Sequence, residues 1–262
     1  MFMPLLNMNY MKRMNEYWDR LLKNAIPWDE DKTKFDTHLC LQGESYNSER
    51  YRLFDSPPLD GRPQDDSDEL VWSPSKKWAY ANRLLKSKQR LDLAQGNKTG
   101  KVAFDKDVVV PVLFEHRPDS WIKFRVWMGV TPMEVLTQRQ GIRLSKGHVI
   151  MGGLGLGWML RKVAEKKSVK KITLIEISDE ILDWYGRDLC EQIQEETGTE
   201  IEVVCDHVLG HIGKYGDDAR YILDVWPDYP TPFDYLKKEW RDALRSVEGQ
   251  WWGWGVFRGD HW

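Results

Sequence analysis

The 262-residue chain is short of cysteine and histidine and has no long apolar run, and each shortage removes a class of protein. Three cysteines, Cys40, Cys190 and Cys205, are too few and too scattered for a disulfide framework or a thiolate metal site, which suits a reducing compartment. The cytoplasm is the expected location. Six histidines show no ligand spacing, and the nearest cluster, Cys205-Asp206-His207 with His211, reads as a loop, so no metal is expected. The opening Met1-Phe-Met-Pro-Leu-Leu is short and lacks a positive leading region, so it reads as neither a secretory signal nor a membrane span. A basic excess is missing too. The formal net charge of -3 disfavours nonspecific binding to a nucleic-acid backbone and leaves room only for a local basic groove.

What remains is a chain that is 41% hydrophobic, enough for a sizeable core, and expected to be soluble and globular. Its fourteen tryptophans are expected mostly in that core, with some free to wall an aromatic pocket. Met11, Met14, Trp18, Leu21 and Leu22 recur at helical steps, which predicts an amphipathic helix stopped near Pro27. From Gly43 to Ser75 no period persists, and the stretch with its acidic patch Asp65-Asp66-Ser-Asp68-Glu69 reads as loop. Lys76 to Lys101, with Trp78, Tyr80 and Arg83, reads as a solvated helix followed by a turn in preference to a nucleic-acid patch. Val108–His116 and Trp121–Met128 predict a hairpin, with Ile122, Phe124, Val126 and Met128 on one face. Thr131-Pro132-Met133-Glu134 combines an N-cap, a proline at the first helical position and an acid three after the cap, which predicts a helix towards Gly141.

Beyond Gly147 the pattern becomes strand and helix in alternation. His148–Met151, Lys171–Ile177, Glu200–Val204 and Tyr221–Val225 read as strands, and Trp251–Phe257 as a last one. Trp158–Lys167 reads as a helix, a second is capped by Ser178 and closed by Gly198, and a third is expected to start at Thr231-Pro232-Phe-Asp234. The fold expected is α/β, a doubly wound, mostly parallel sheet over 146–262, preceded by a helical and hairpin extension over 1–145.

The first of these strands runs into Gly152-Gly153-Leu-Gly155-Leu-Gly157, where backbone can approach a ligand closely and a helix N-terminus follows. The G-x-G-x-G spacing, with Trp158 where a third dinucleotide glycine would fall, counts against NAD. Together with Glu176 ending the next strand and Asp206 just past the third, the loop resembles class I S-adenosylmethionine-dependent methyltransferases over about residues 145 to 257. The rhythm of Gly-Trp-Met-Leu-Arg161-Lys-Val and of Ser168-Val-Lys-Lys-Ile-Thr-Leu-Ile-Glu176-Ile is similar to the spermidine synthase branch, and Trp127–Glu134 resembles a substrate-side segment of such proteins. The resemblance implies a Rossmann-like fold, with Gly153, Gly155 and Gly157 facing the amino-acid part of S-adenosylmethionine. It gives Glu176 the ribose hydroxyls and Asp206 the adenine amino group.

The loop after the fourth strand, Asp224-Val-Trp226-Pro227-Asp228-Tyr229-Pro230, lies across the crevice in such a sheet. It holds the acid, proline and aromatic of an amino-group methyltransferase, with extra residues between them. Asp224 is the candidate base, Trp226, Asp228 and Tyr229 the candidate acceptor contacts, and Glu134 and Gln138, four apart on one helical face, further acceptor contacts unless Glu134 serves as a cap. The function expected is methyl transfer to an unidentified acceptor. Two alternatives stand beside it. One is aminopropyl transfer, for which Asp224 and Asp228 stand four apart where that branch places two aspartates three apart. The other is a nucleotide-fold binding module without transfer activity, favoured by the irregular loop. The family sheet adds an antiparallel pair beyond the fifth strand that this sequence does not show, so the hairpin is expected to cover the site or complete the sheet.

Overall fold

The computed structural model describes residues 8–36, 38–46, 48–63, 69–95, 98–226 and 231–257. The first helix, α1 (Met8–Lys23), lays Trp18 against Cys40 and Ala103 of two neighbouring strands, as its apolar stripe requires. The hairpin forms as expected, except that its second strand, Phe124–Gly129, starts three residues later than the expected Trp121, which is left 92% exposed in the turn.

The expected solvated helix over Lys76–Lys101 is not found. Trp78–Leu85, Leu91–Gln95 and Lys98–Phe104 are strands instead. Trp78 through Ala81 are all buried, so the first strand is covered on both faces and carries no alternation to read. Lys76, Lys77, Lys86 and Lys88 flank it in turns, where Lys76 and Lys88 adopt positive φ, while Arg83 lies within the strand. Trp78–Leu85 pairs antiparallel with Val108–His116, so the hairpin belongs to a sheet of its own and does not complete the parallel one. Within Gly43–Ser75 the described residues are mostly loop with short 3-10 turns and the small strands Pro58–Asp60 and Val71–Trp72; Asp65, Asp66 and Asp68 lie outside the described residues.

The C-terminal half forms a five-stranded parallel sheet, labelled here β1 (Gly147–Gly152), β2 (Val169–Glu176), β3 (Glu200–Cys205), β4 (Arg220–Leu223) and β5 (Trp251–Gly253). Its order is β3-β2-β1-β4-β5, which places a topological switch point between β1 and β4. Alternation along the strands supplies both covers. Val149 and Met151 of β1 and Ile222 of β4 pack with Leu160 of α3 (Trp158–Ala164) and Ile193 of the helix Arg187–Thr197. Ile150, Tyr221 and Leu223 face the other way, onto Val208, Phe233 and Leu244. The sheet is therefore doubly wound, as expected. The cluster on the first face also takes in Tyr80 and Phe114, so the change of sheet near residue 146 is not a break in the core.

Two C-terminal elements differ from expectation. Thr231–Pro232 is a short parallel bridge to Val256–Phe257 followed by a 3-10 turn, and the helix starts only at Lys238, running to Ser246. The last strand is broken by a turn at Gly255, whose φ is +73°, so only Trp251–Gly253 joins the sheet. Among the described residues no helix is long and apolar enough to cross a membrane.

Candidate functional site

The carboxyl ends of β1 through β4 open into one cavity of about 390 Å³, within the range that holds a small ligand. Gly153 and Gly155 line it, as do Glu176 at the end of β2, Asp206 just past β3, and Asp224 and Trp226 just past β4. The hairpin contributes Val126, Trp127 and Met128 and so covers the site. Asp228 and Tyr229 lie outside the described residues.

The loop is held from three sides. Gly153 N–H donates to the Ile175 carbonyl at 2.9 Å, Asp224 N–H to the Gly152 carbonyl at 2.9 Å, and the buried Tyr185 phenol to the Gly155 carbonyl at 2.5 Å. Gly153 has φ of +88°, and a Cβ there would stand 2.4 Å from the Asp224 carbonyl oxygen. Only glycine lets β1 and β4 diverge this closely. At Gly155 a Cβ would meet the Met128 sulfur, which accepts from Leu156 N–H. Gly157 departs from its expected role. It is the positive-φ cap of α3, packs against Leu189 and lines a neighbouring hollow instead of this cavity.

Glu176 is buried, and each of its carboxylate oxygens accepts one backbone N–H, from Leu154 and Ser178, both at 2.9 Å. That fixes its direction and leaves further lone pairs for two hydroxyls. Asp206 is exposed and accepts from His211 Nε2 at 2.9 Å and from His207 N–H at 2.6 Å, and these contacts, His211 first, hold its carboxyl below the usual range. The Cys205–His211 segment ends in a 3-10 turn, and among the described residues no group of three or more acidic, histidine or cysteine side chains is placed to hold a metal.

Glu134 is more than a cap. Thr131 Oγ1 does accept from Glu134 N–H at 3.4 Å, but Thr131 N–H is taken by the Gly129 carbonyl at 2.7 Å, which leaves the Glu134 carboxylate free of the reciprocal capping bond. It turns to the cavity. Gln138, fully buried one turn on, donates through Nε2 to Glu134 Oε1 and to Asp224 Oδ2, the latter at 2.8 Å. Burial first, and then the Asp224 charge, raise the Glu134 carboxyl well above the ordinary range; burial pushes Asp224 up to about 7.

Aromatic rings close the remaining wall. Trp226 and Trp240 meet at 5.1 Å between ring centroids, and Trp254 is anchored by its Nε1, which donates to Thr137 Oγ1 at 3.0 Å. Of these, Trp226 is marked by its place after a strand and Met128 by the segment Trp127–Glu134; Tyr185, Trp240 and Trp254 come from distant segments, and nothing in their local sequence points to the site.

No family model matches the chain, and no curated protein matches it. Among solved structures it is similar to Thermococcus litoralis Δ1-pyrroline-2-carboxylate reductase in complex with NADH and L-proline, at 13% identity and a TM-score of 0.30. The similarity covers 62% of this chain and 57% of that one.

Proposed function

We propose that the protein is an S-adenosylmethionine-dependent methyltransferase acting on an acceptor bound at the Asp224 end of the cavity. The observation that carries this reading is the convergence of Gly153, Gly155, Glu176, Asp206 and Asp224, from four successive strand ends, on one cavity at the switch point of a parallel sheet. The residues fit the cofactor at its nucleoside end: Glu176 is an oriented carboxylate for the ribose, and the ionised Asp206 an acceptor for the adenine amino group. At the amino-acid end the glycines give the close approach needed, with Met128 lying over Gly155 as the side chain that must give way.

The cofactor supplies a methyl group on a sulfonium, an already activated leaving group, so the protein's work is alignment and removal of a proton. Trp226, Trp240 and Trp254 restrict the acceptor's approach and exclude water. Asp224, held in direction by Gln138, takes the proton that the acceptor gives up. Glu134 supplies a second carboxyl nearby, which favours a second reading, aminopropyl transfer to an amine whose far cation is held between acids. The two readings separate by label. Protein incubated with cell extract should move label from the cofactor's methyl group into an acceptor fraction; label moving only from the aminopropyl group of decarboxylated cofactor would replace methyl transfer by the second reading.

Glu176→Ala is expected to weaken binding of the demethylated product, S-adenosylhomocysteine, by about 1 to 3 kcal/mol, because two hydroxyls lose a charged acceptor. Calorimetry on the folded variant checks this, and unchanged affinity would remove Glu176 from the site.

A further inference from the structure

Two carboxyl groups from different elements share one amide nitrogen at the floor of the cavity. Glu134 comes from α2 (Pro132–Leu144) and Asp224 from the end of β4, and Gln138 Nε2 has one hydrogen for each. Gln138 is fully buried and its Oε1 has no hydrogen-bond partner, so every polar contact its side chain makes is to these two acids. Among the described residues neither acid has a lysine, arginine or histidine within ion-pair distance. The groups on the surrounding elements do not neutralise them either. Tyr46, towards Glu134, spends its hydroxyl hydrogen on the Val130 carbonyl at 2.9 Å, Thr137 and Trp254 are uncharged, and the other titratable groups on the cavity wall are Glu176, Asp206 and His207. Two like charges that share one amide nitrogen, with no cation beside them among the described residues, do not both persist, even though each side chain is only half-buried at the cavity wall.

We propose that Gln138 is a positioning residue that holds Glu134 and Asp224 as a one-proton pair, with Glu134 the neutral partner and Asp224 the ionised base. This rests on the methyl-transfer reading and deepens it. Gln138 gives each acid one donor, so the amide alone does not choose between them; at Glu134 burial and the adjacent Asp224 charge outweigh that donor, and Glu134 keeps the proton. On transfer, the acceptor's X–H bond breaks and its proton passes to Asp224. The acceptor atom bonds to the methyl carbon, and the electron pair of the broken carbon–sulfur bond stays on sulfur. A neutral Glu134 keeps a hydroxyl to offer the acceptor, so the site suits an uncharged acceptor that pairs a hydrogen-bond acceptor atom with the proton it loses, packed against tryptophan.

The test is carboxyl-carbon NMR across pH on the protein without cofactor, so failure to bind S-adenosylmethionine, measured separately, would not obscure it. Glu134→Gln copies the neutral partner and is expected to leave the Asp224 midpoint near the wild-type value while removing the higher carboxyl step. A fall of about one pH unit or more would show that Glu134 carries the charge and would overturn the assignment. Gln138→Met should raise the Asp224 midpoint by about one pH unit, since the carboxylate loses its donor; an unmoved midpoint would deny Gln138 its role. Should Gln138→Met not fold, the wild-type protein still decides: both carboxyls titrating in the ordinary acidic range would overturn the pair.

Discussion

Asp224→Asn is expected to leave S-adenosylhomocysteine affinity within about a factor of ten, roughly 1.4 kcal/mol, while methyl transfer falls by roughly 10²-fold or more. The side chain follows β4 directly and lines the cavity opposite the glycine loop, and asparagine keeps its shape and its contact with Gln138 but loses the charge. The wild-type pH profile is part of the same expectation. Because burial pushes Asp224 up to about 7, the base is protonated below that pH and transfer should rise as pH passes through it; Asp224→Asn should lose that rise. The same raised carboxyl favours the folded state at low pH, a contribution lost as pH climbs from near 4 through about 7. Single-turnover transfer measured against pH checks this. A variant that transfers at the wild-type rate with an unchanged profile would reduce Asp224 to a structural residue.

Gly153→Ala should destabilise the fold by about 3 kcal/mol and abolish cofactor binding in whatever remains folded. Its φ of +88° disfavours any side chain, and its Cβ would meet a backbone carbonyl oxygen at 2.4 Å. That oxygen is backbone, and the Asp224 N–H on the same residue is tied to the Gly152 carbonyl, so relief requires a shift of the chain and not of a side chain. Gly157→Ala is the comparison. It has φ of +75°, but the obstacle is the Leu189 Cδ2 atom, the end of a side chain that can rotate, so the cost should be nearer 1 kcal/mol with cofactor affinity retained. Urea melts followed by calorimetry separate the two, and equal losses with binding intact in both would show that the strand end is not the cofactor's seat.

The C-terminal half was legible because its two periods are clean. Parallel strands such as Ile172–Ile175 are uniformly buried, the helices between them are capped by Ser178 and closed by Gly198, and each chemical residue sits where a strand stops. The N-terminal half concealed its strands. In Trp78–Leu85 burial on both faces erased alternation, and the charges of its turns imitated a solvated helix. Glu134 was ambiguous for a different reason: a cap and a cavity-facing carboxyl need the same residue at the same spacing, and the sequence does not show that the Gly129 carbonyl takes Thr131 N–H and leaves the Glu134 carboxylate without the reciprocal bond. Gly157 is ambiguous in the same way, since a glycine that lines a cavity and one that packs beside Leu189 are identical in sequence. Tyr185 reaches the loop only through tertiary contact, which no local pattern encodes, and for Met128 the segment Trp127–Glu134 points to the site but not to the Leu156 N–H that its sulfur takes.

Titration calorimetry of the wild-type protein with S-adenosylhomocysteine and, separately, with NADH tests the cofactor assignment most directly. Saturable heat is expected with the sulfur ligand, weakened in Glu176→Ala, and little or none with NADH. No heat from S-adenosylhomocysteine together with tight NADH binding would contradict the assignment.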